Sequence, residues 1–546
     1  HASGGLRSLS PASAQLAPAQ ALTVSDVMAA VAADIAGALP EAEAPPSLEA
    51  DITPRDPGLN PALENPALEL PGANDAFEFD ASSAQTQGGE RPPFAMEALM
   101  WAVGAIEGAD VALLPCSMFV LRTQLGLSLN DLAVINLVQS LLQTLAAPIW
   151  AILADRRVLS RKTIFMLGTG GQGLVTCLLA LVTSWYPMIA LRALNGILLA
   201  SLRPVAMGLV ADVTSPEHRG KVYGNINLAM FLGMLASTLT ATPASTATIM
   251  GISGWRVMFT IVGALSVAAA TCVPCAMRAE PVAVDDDGAA ASSTGAALAE
   301  ARRLAGFFRL PTFSVLILQG VFGSIGMSAG AFATMYYQLT GISSFWSGVV
   351  SASGLGFVGV GMVIGGHLGD CLSKRFRHHG RIVVAEVSLF MGIPLKFLTF
   401  WGVEPFAGSV PWLIVLNSLH GLLAVWCVAA AKLPLLSEIV PAGSRSTIMA
   451  WDSAIEGSWG TLLGGPLVAV LAQSLFGFTQ QSLGDGDAAV NAEGLGRATA
   501  TMICGPALVS ALCWFLLHWT YPRDAARAAQ MQQVAGKSGK AATAAI

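Results

Sequence analysis

The chain has 546 residues, 54% of them hydrophobic and 12% charged, with a mean hydropathy of +0.61; soluble domains carry about 25% charged residues, which excludes an ordinary soluble enzyme. The net charge of −6 is unevenly spread, because residues 1–93 hold 13 Asp/Glu against Arg7, Arg55 and Arg91, giving −10 for that stretch and +4 for the rest. Eight cysteines stand singly apart from Cys272 and Cys275, with no paired zinc spacing, and no G-x-x-x-x-G-K-[ST] phosphate loop occurs, so no metal centre, cofactor or ATP hydrolysis is expected.

In chain order, residues 1–93 are rich in Ala, Pro, Ser and acid. Pro45, Pro46, Pro54, Pro57, Pro61 and Pro66 break any helix longer than Val24 to Leu39, and a disordered tail is expected. It opens without Met and carries no acid before Asp26, which reads as an incomplete or processed chain. From Arg91 to Pro522 the apolar residues come in runs of about 20, the length that crosses a ~30 Å hydrocarbon core. Twelve spans are predicted, at 95–120, 131–153, 163–184, 188–211, 221–242, 255–277, 312–337, 344–366, 381–402, 411–434, 446–474 and 498–520. They form a first bundle (94–277) and a second (312–521), joined by a connection (278–311) that carries Asp285, Asp286 and Asp287 and then an amphipathic stretch with Arg302, Arg303, Phe307 and Phe308; residues 522–546 are left as a tail.

Of the 29 Lys/Arg, 15 fall in the even-numbered connections and 3 (Arg122, Arg256 and Arg497) in the odd-numbered ones. The positive-inside rule then predicts that both tails and the long connection are cytoplasmic. The halves also repeat one another. Arg192 and Gly196 in span 4 match Asn417 and Gly421 in span 10 at an interval of 225, and Pro216 and Pro441 share that interval. A duplicated six-helix unit explains these matches together.

After span 2 stands Ala151-Ile-Leu-Ala-Asp155-Arg156-Arg157 followed by Arg161 and Lys162, and after span 8 stands Gly366-His-Leu-Gly-Asp370. The first resembles the G-x-L-x-D-R-x-G-R-K loop of the major facilitator superfamily, with Ala151 in place of the glycine and the basic pair two residues late. Arg192 with Gly196, and Asp212 with Pro216, are similar to further elements of that family. Ile106-Glu107-Gly108-Ala-Asp110 and Gly251-Ile-Ser-Gly-Trp255-Arg256 resemble its Spinster-like group and plant and algal relatives, which usually place an Arg where this chain has Gly108. The resemblance implies an all-α polytopic fold of twelve helices in two pseudo-symmetric six-helix bundles. It also implies transport by alternating access about a midplane site, and a cytoplasmic gate at Asp155, Arg156, Arg161, Lys162, Gly366 and Asp370. A carboxylate beside Arg and Lys at a helix end can latch helix ends together, with anchoring by the positive-inside rule alone as the alternative.

A charge at bilayer depth costs on the order of 3 kcal/mol, so each needs a partner, a wet cavity or a function. Glu107 and Asp110 in span 1, and Asp452 and Glu456 in span 11, are acids within one turn of each other. Arg192 and Arg203 in span 4, Lys396 in span 9, and His420 and Lys432 in span 10 are the counterparts. The resemblance implies that Glu107, Asp110, Arg192, Arg203, His420, Asp452 and Glu456 surround one central cavity, with Glu107 first, Asp110 second and Glu456 in the second half as proton or cation-coupling groups. Fixed ion pairs that only set packing are the alternative. Pro204, after Arg203, is expected to kink span 4. The function expected is secondary transport of a small organic solute or an amphipathic lipid by a monomer in the bilayer, coupled to a proton or cation gradient. A transporter-shaped sensor or scaffold is the rival, and neither an enzyme nor a nucleic-acid partner is expected.

Overall fold

A computed structural model describes residues 94–155, 158–213, 216–277, 305–402, 407–440, 445–479 and 485–544. The expectations for the acidic tail, for most of the long connection, for Arg156 and for the side chain of Asp155 lie outside them. All twelve expected spans are helices: α1 (Phe94–Leu125), α2 (Leu129–Asp155), α3 (Arg161–Leu179), α4 (Trp185–Leu199 and Leu202–Val213), α5 (Pro216–Thr246) and α6 (Gly254–Ala276) make the first half. In the second half, α7 (Pro311–Ala329) continues through a 3₁₀ turn into Ala333–Leu339, and α8 (Ser344–Arg375) follows. Next come α9 (Gly380–Phe397, closed by a π turn at Leu398–Gly402) and α10 (Val410–Leu423, a π turn at Val428–Lys432, then Leu433–Ile439). The last two are α11 (Arg445–Ser474) and α12 (Asp485–Ala544). By length and composition 11 helices among the described residues qualify as membrane spans; α3 falls short because Gly168, Gly170, Gly171, Gln172 and Gly173 dilute its apolarity, and those glycines bring it against α4 and α6.

Local signals set the helix starts. Ser128 and Asp131 form a reciprocal capping box at α2, the Asp131 N–H donating to Ser128 Oγ at 3.0 Å and the Ser128 N–H to Asp131 Oδ2 at 2.9 Å. Pro204 has no N–H for the carbonyl of Ala200, and α4 breaks there, at Ala200–Ser201. The break in α10, at Ala424–Val425, falls within one residue of the repeat interval. The duplication is also physical at the glycines. A Cβ on Gly196 would overlap the Gln139 carbonyl of α2, and one on Gly421 would overlap the Gly354 carbonyl of α8.

The connections divide the body into two ends, and the cores differ between them. At the odd-connection end one core runs through both halves, including Leu113, Leu121, Leu129 and Trp255 from the first and Phe332, Tyr336, Val468 and Leu495 from the second. At the even-connection end the first half has its own core, around Phe165, Leu199, Val210 and Val273. The second half there has another, around Phe313, Ile382, Leu435 and Trp514. Polar links between the halves follow the same division: Arg122 of α1 donates to the Thr479 carbonyl at 3.0 Å, Gln473 of α11 to Asn130 of α2 at 3.1 Å, and Thr246 of α5 to Ser344 of α8 at 3.0 Å. The two bundles are therefore packed together at one end and separately cored at the other.

Helix α12 runs past the boundary expected between Tyr521 and Pro522, beginning earlier than its predicted span and continuing through Pro522. The reason is a contact: Asp524, 3% exposed, accepts from the Thr312 N–H at 2.9 Å and so caps the first turn of α7. Residues assigned to a tail thus begin with a structural group. Between α5 and α6 a two-residue hairpin pairs β1 (Thr248–Ile249) with β2 (Ile252–Ser253) through Met250 and Gly251, both with positive φ. The Trp255 that follows is buried, donating to Gln124 at 2.9 Å, with Arg256 stacked on its ring. That motif is part of the odd-end core.

Candidate functional site

Among the described residues, the buried charges pair within each half and not across the two halves. On α1, Glu107 is 6% exposed and points toward α4 and α5, where Arg203 Nε stands 3.5 Å from its Oε1. The two line an open pocket whose walls include Met100, Phe165, Leu202, Ile226, Asn227 and Met230, all from the first half. Arg203 has half its side chain exposed there and also touches Met230 Sδ at 2.7 Å. Gly108, directly after Glu107, has no room for any side chain, since its Cβ would overlap the Met230 carbonyl. The cation beside Glu107 comes from α4 instead.

Asp110, 0% exposed, turns to α3 and belongs to a different structure. Arg192 Nη1 donates to Gln139 Oε1 at 2.7 Å, Gln139 Nε2 to Asn195 Oδ1 at 2.8 Å, Asn195 Nδ2 to Thr176 Oγ1 at 3.0 Å, and Thr176 Oγ1 to Asp110 Oδ1 at 2.7 Å. A guanidinium and a carboxylate are thus joined through three neutral groups that all donate in one direction, an arrangement in which each bond polarises the next. The Arg192 guanidinium also lies over Phe259, 5.1 Å from the ring centre. Asp110 and Arg192 are sealed inside the first bundle.

In the second half, Lys432 leaves the π turn of α10 and reaches Asp452 Oδ2 at 2.6 Å and Glu456 Oε2 as well. Lys396 of α9 pairs with no carboxylate among the described residues. It donates to Asn417 Oδ1 at 3.0 Å, and Asn417 Nδ2 donates to the Tyr337 hydroxyl at 3.0 Å. His420 stands half-buried one turn along from Asn417, outside the Lys432 cluster, with Lys396 as its electrostatic neighbour. At the even end Asp370 binds Arg381 Nη2 at 2.7 Å, and Arg381 Nη1 donates to the Ala430 carbonyl at 3.0 Å, tying α8 and α9 to α10 within the second half. Gly366 is in open space, the Arg161 guanidinium lies by Gly208 of α4, and Lys162 donates to the Pro274 carbonyl of α6 at 3.1 Å.

Sequence reading singled out the charges but not their bridges. Thr176 carries no signal at all, being one hydroxyl in an apolar run, and Gln139 and Asn195 stand out only as mid-span polar residues. Their partners lie on other helices, which spacing within one helix does not specify.

Comparison with known proteins places this arrangement in context. Residues 100–451 match the profile of the Major Facilitator Superfamily. An MFS-type efflux pump of Mycolicibacterium smegmatis is 26% identical over 359 residues, 64% of this chain and 76% of that protein. In fold, the chain is similar to the crystal structure of a bacterial homologue of the human lysosomal transporter Spinster, inward-facing and occupied, with TM-score 0.67 and 17% identity over 80% of this chain and 99% of that one. A D-xylose–proton symporter matches with TM-score 0.55 and 14% identity over 76% and 97%. With its profile matched across six helices of one half and most of the other, and with the duplicated twelve-helix fold, the chain belongs to the Major Facilitator Superfamily and is a multi-pass membrane transporter.

Proposed function

We propose that the chain is a secondary active transporter that moves a small organic solute or an amphipathic lipid by rocking its two bundles, with the Glu107–Arg203 pocket as a binding surface of the first half. The observation that carries this reading is the division of the cores. A body sealed by one shared core at the odd-connection end and separately cored at the other is one half-cycle of alternating access. The excess of Lys/Arg in the even-numbered connections supports a cytoplasmic position for that end, for both tails and for the 278–311 connection, which makes the state inward-open. The name of the mycobacterial relative, an efflux pump, supports transport. The pocket supports an amphipathic solute, because an acid and a guanidinium stand beside Met100, Phe165, Ile226 and Met230. A proton or cation gradient supplies the energy, the protein acts as a monomer, and the Asp370–Arg381 pair belongs to the cytoplasmic gate.

Uptake into proteoliposomes across a panel of organic anions and amphipathic lipids, under imposed proton and sodium gradients, tests the reading. Flux of at least one class is expected; binding without flux under every gradient would make the protein a sensor. Glu107→Gln is expected to abolish gradient-driven uptake while sparing exchange, and unchanged gradient dependence in that variant counts against Glu107 as the coupling group.

A further inference from the structure

The cluster at α10 and α11 is not charge-balanced. Lys432, Asp452 and Glu456 are 7%, 1% and 8% exposed, so one ammonium answers two carboxylates out of reach of bulk water. The remaining oxygens, Asp452 Oδ1 and Glu456 Oε1, have no hydrogen-bond partner among the described residues. The charged groups that act on Glu456 are Lys432, from α10, and Asp452, from its own helix. From α7 it meets the backbone of Gly320, whose neighbour Gln319 bonds to Ser510 of α12, and α2 brings Thr144 to the adjoining Gly457. None of these is a second cation. Buried carboxylates sharing a site cannot both stay ionised on one compensating charge. A metal ion is an unsuitable answer, because the Lys432 ammonium already occupies the position between the two acids, and a second cation there would be repelled.

We propose that Lys432, Asp452 and Glu456 form a single-proton site, with one proton shared between the two carboxyl groups and Gly320 of α7 as its seat. The shared proton brings the cluster to neutrality and gives the two acids the donor they need to hydrogen-bond each other. Gly320 makes the seat because a Cβ there would overlap the Glu456 carboxylate. Helix α11 lies on α7 through further small residues, Gly460 against Ser324 and Gly464 against Ser328, so a slide of α7 along α11 changes what faces the acid. The role of the proton in coupling rests on the transport reading above; its presence does not.

Infrared spectroscopy of the full chain in lipid nanodiscs at neutral pH tests the site without any substrate. The protonated-acid carbonyl band is read as differences from the parent protein. Glu456→Gln and Asp452→Asn are each expected to remove one equivalent of that band, since the surviving acid then pairs with Lys432 and ionises. The double variant is expected to remove the same one equivalent. Loss of ionised-carboxylate bands alone in both single variants, or loss of two equivalents in the double variant, overturns the proposal. Should one single variant fail to yield monodisperse protein, the other carries the comparison. Absence of transport in liposomes leaves this measurement intact, and a failed band difference leaves the transport reading intact.

Discussion

Among the mid-span charges, each of the four in the first half has an opposite: Glu107 stands beside Arg203, and Asp110 is joined to Arg192 through Gln139, Asn195 and Thr176. In the second half the same number of charges is distributed unevenly, with two acids on Lys432 and Lys396 left to a neutral amide. The two halves share one ancestral unit by their matched glycines and helix breaks, so the fold does not dictate the difference. What differs is where the cations enter. In α4 both arginines lie on the helix that faces the acids of α1. In α10 a π turn swings Lys432 toward α11, while the second cation sits on α9. Duplication conserves the backbone approach, and the side chains around it are open to divergence.

The largest expected effect follows from that asymmetry. Lys432→Met leaves two buried acids with no compensating charge, and breaking a buried pair by removing one partner costs about 3–5 kcal/mol. Arg192→Met removes a cation that touches Asp110 only through neutral groups and is expected to cost less. Denaturant unfolding in mild detergent, followed by tryptophan fluorescence, compares them; a larger loss in Arg192→Met would mean that the relay, not the direct pair, is the more tightly balanced arrangement.

The paired glycines sharpen the comparison further. At Gly108 an added methyl meets the Met230 carbonyl and the Met234 N–H of α5, backbone that cannot move aside, and Gly108→Ala is expected to cost about 1–3 kcal/mol as an overpacked contact. At Gly320 the obstacle is the end of the Glu456 side chain, which can rotate. Gly320→Ala is therefore expected to cost less stability than Gly108→Ala in the same unfolding measurement, and the reverse order would show that the Glu456 seat is rigid.

These contrasts also explain how much was legible in the sequence. Spans of about 20 apolar residues, the break at Pro204 and the repeat interval are local properties, and each appears in the structure where it was expected. The acids and bases were visible because charge in an apolar run is conspicuous. Their grouping was not, since Glu107 and Asp110, three residues apart on α1, turn to different helices, one to α4 and α5 and the other to α3. Nor was the reach of α12: Pro522 reads as a terminator, and nothing local tells that Asp524 lies against the first turn of α7. Asp524→Ala tests that assignment, with an expected loss of about 1 kcal/mol for a removed N-cap; an unchanged unfolding midpoint would leave the contact without energetic weight.

The smallest effect on stability is expected at Arg122, and it bears on the conformational cycle. Its guanidinium crosses from α1 to the second half, donating to the Thr479 carbonyl and lying 4.6 Å from the Phe478 ring centre, at the end where the halves share a core. A partly exposed cation–π contact is worth about 0.5–1 kcal/mol. The contact is made across the bundles; on the alternating-access mechanism proposed above it is lost when that end opens, so Arg122→Ala removes stabilisation from the closed odd end alone. A ligand or contact shifts a two-state equilibrium only by its difference between the states, here about two- to five-fold in the ratio. Spin labels at the exposed Leu181 of the first half and Phe345 of the second report the separation of that end. In a background with its native cysteines replaced, the long-distance population is expected to grow by that factor in Arg122→Ala. An unchanged distance distribution would mean that the apolar core, without this polar link, sets the closed state by itself.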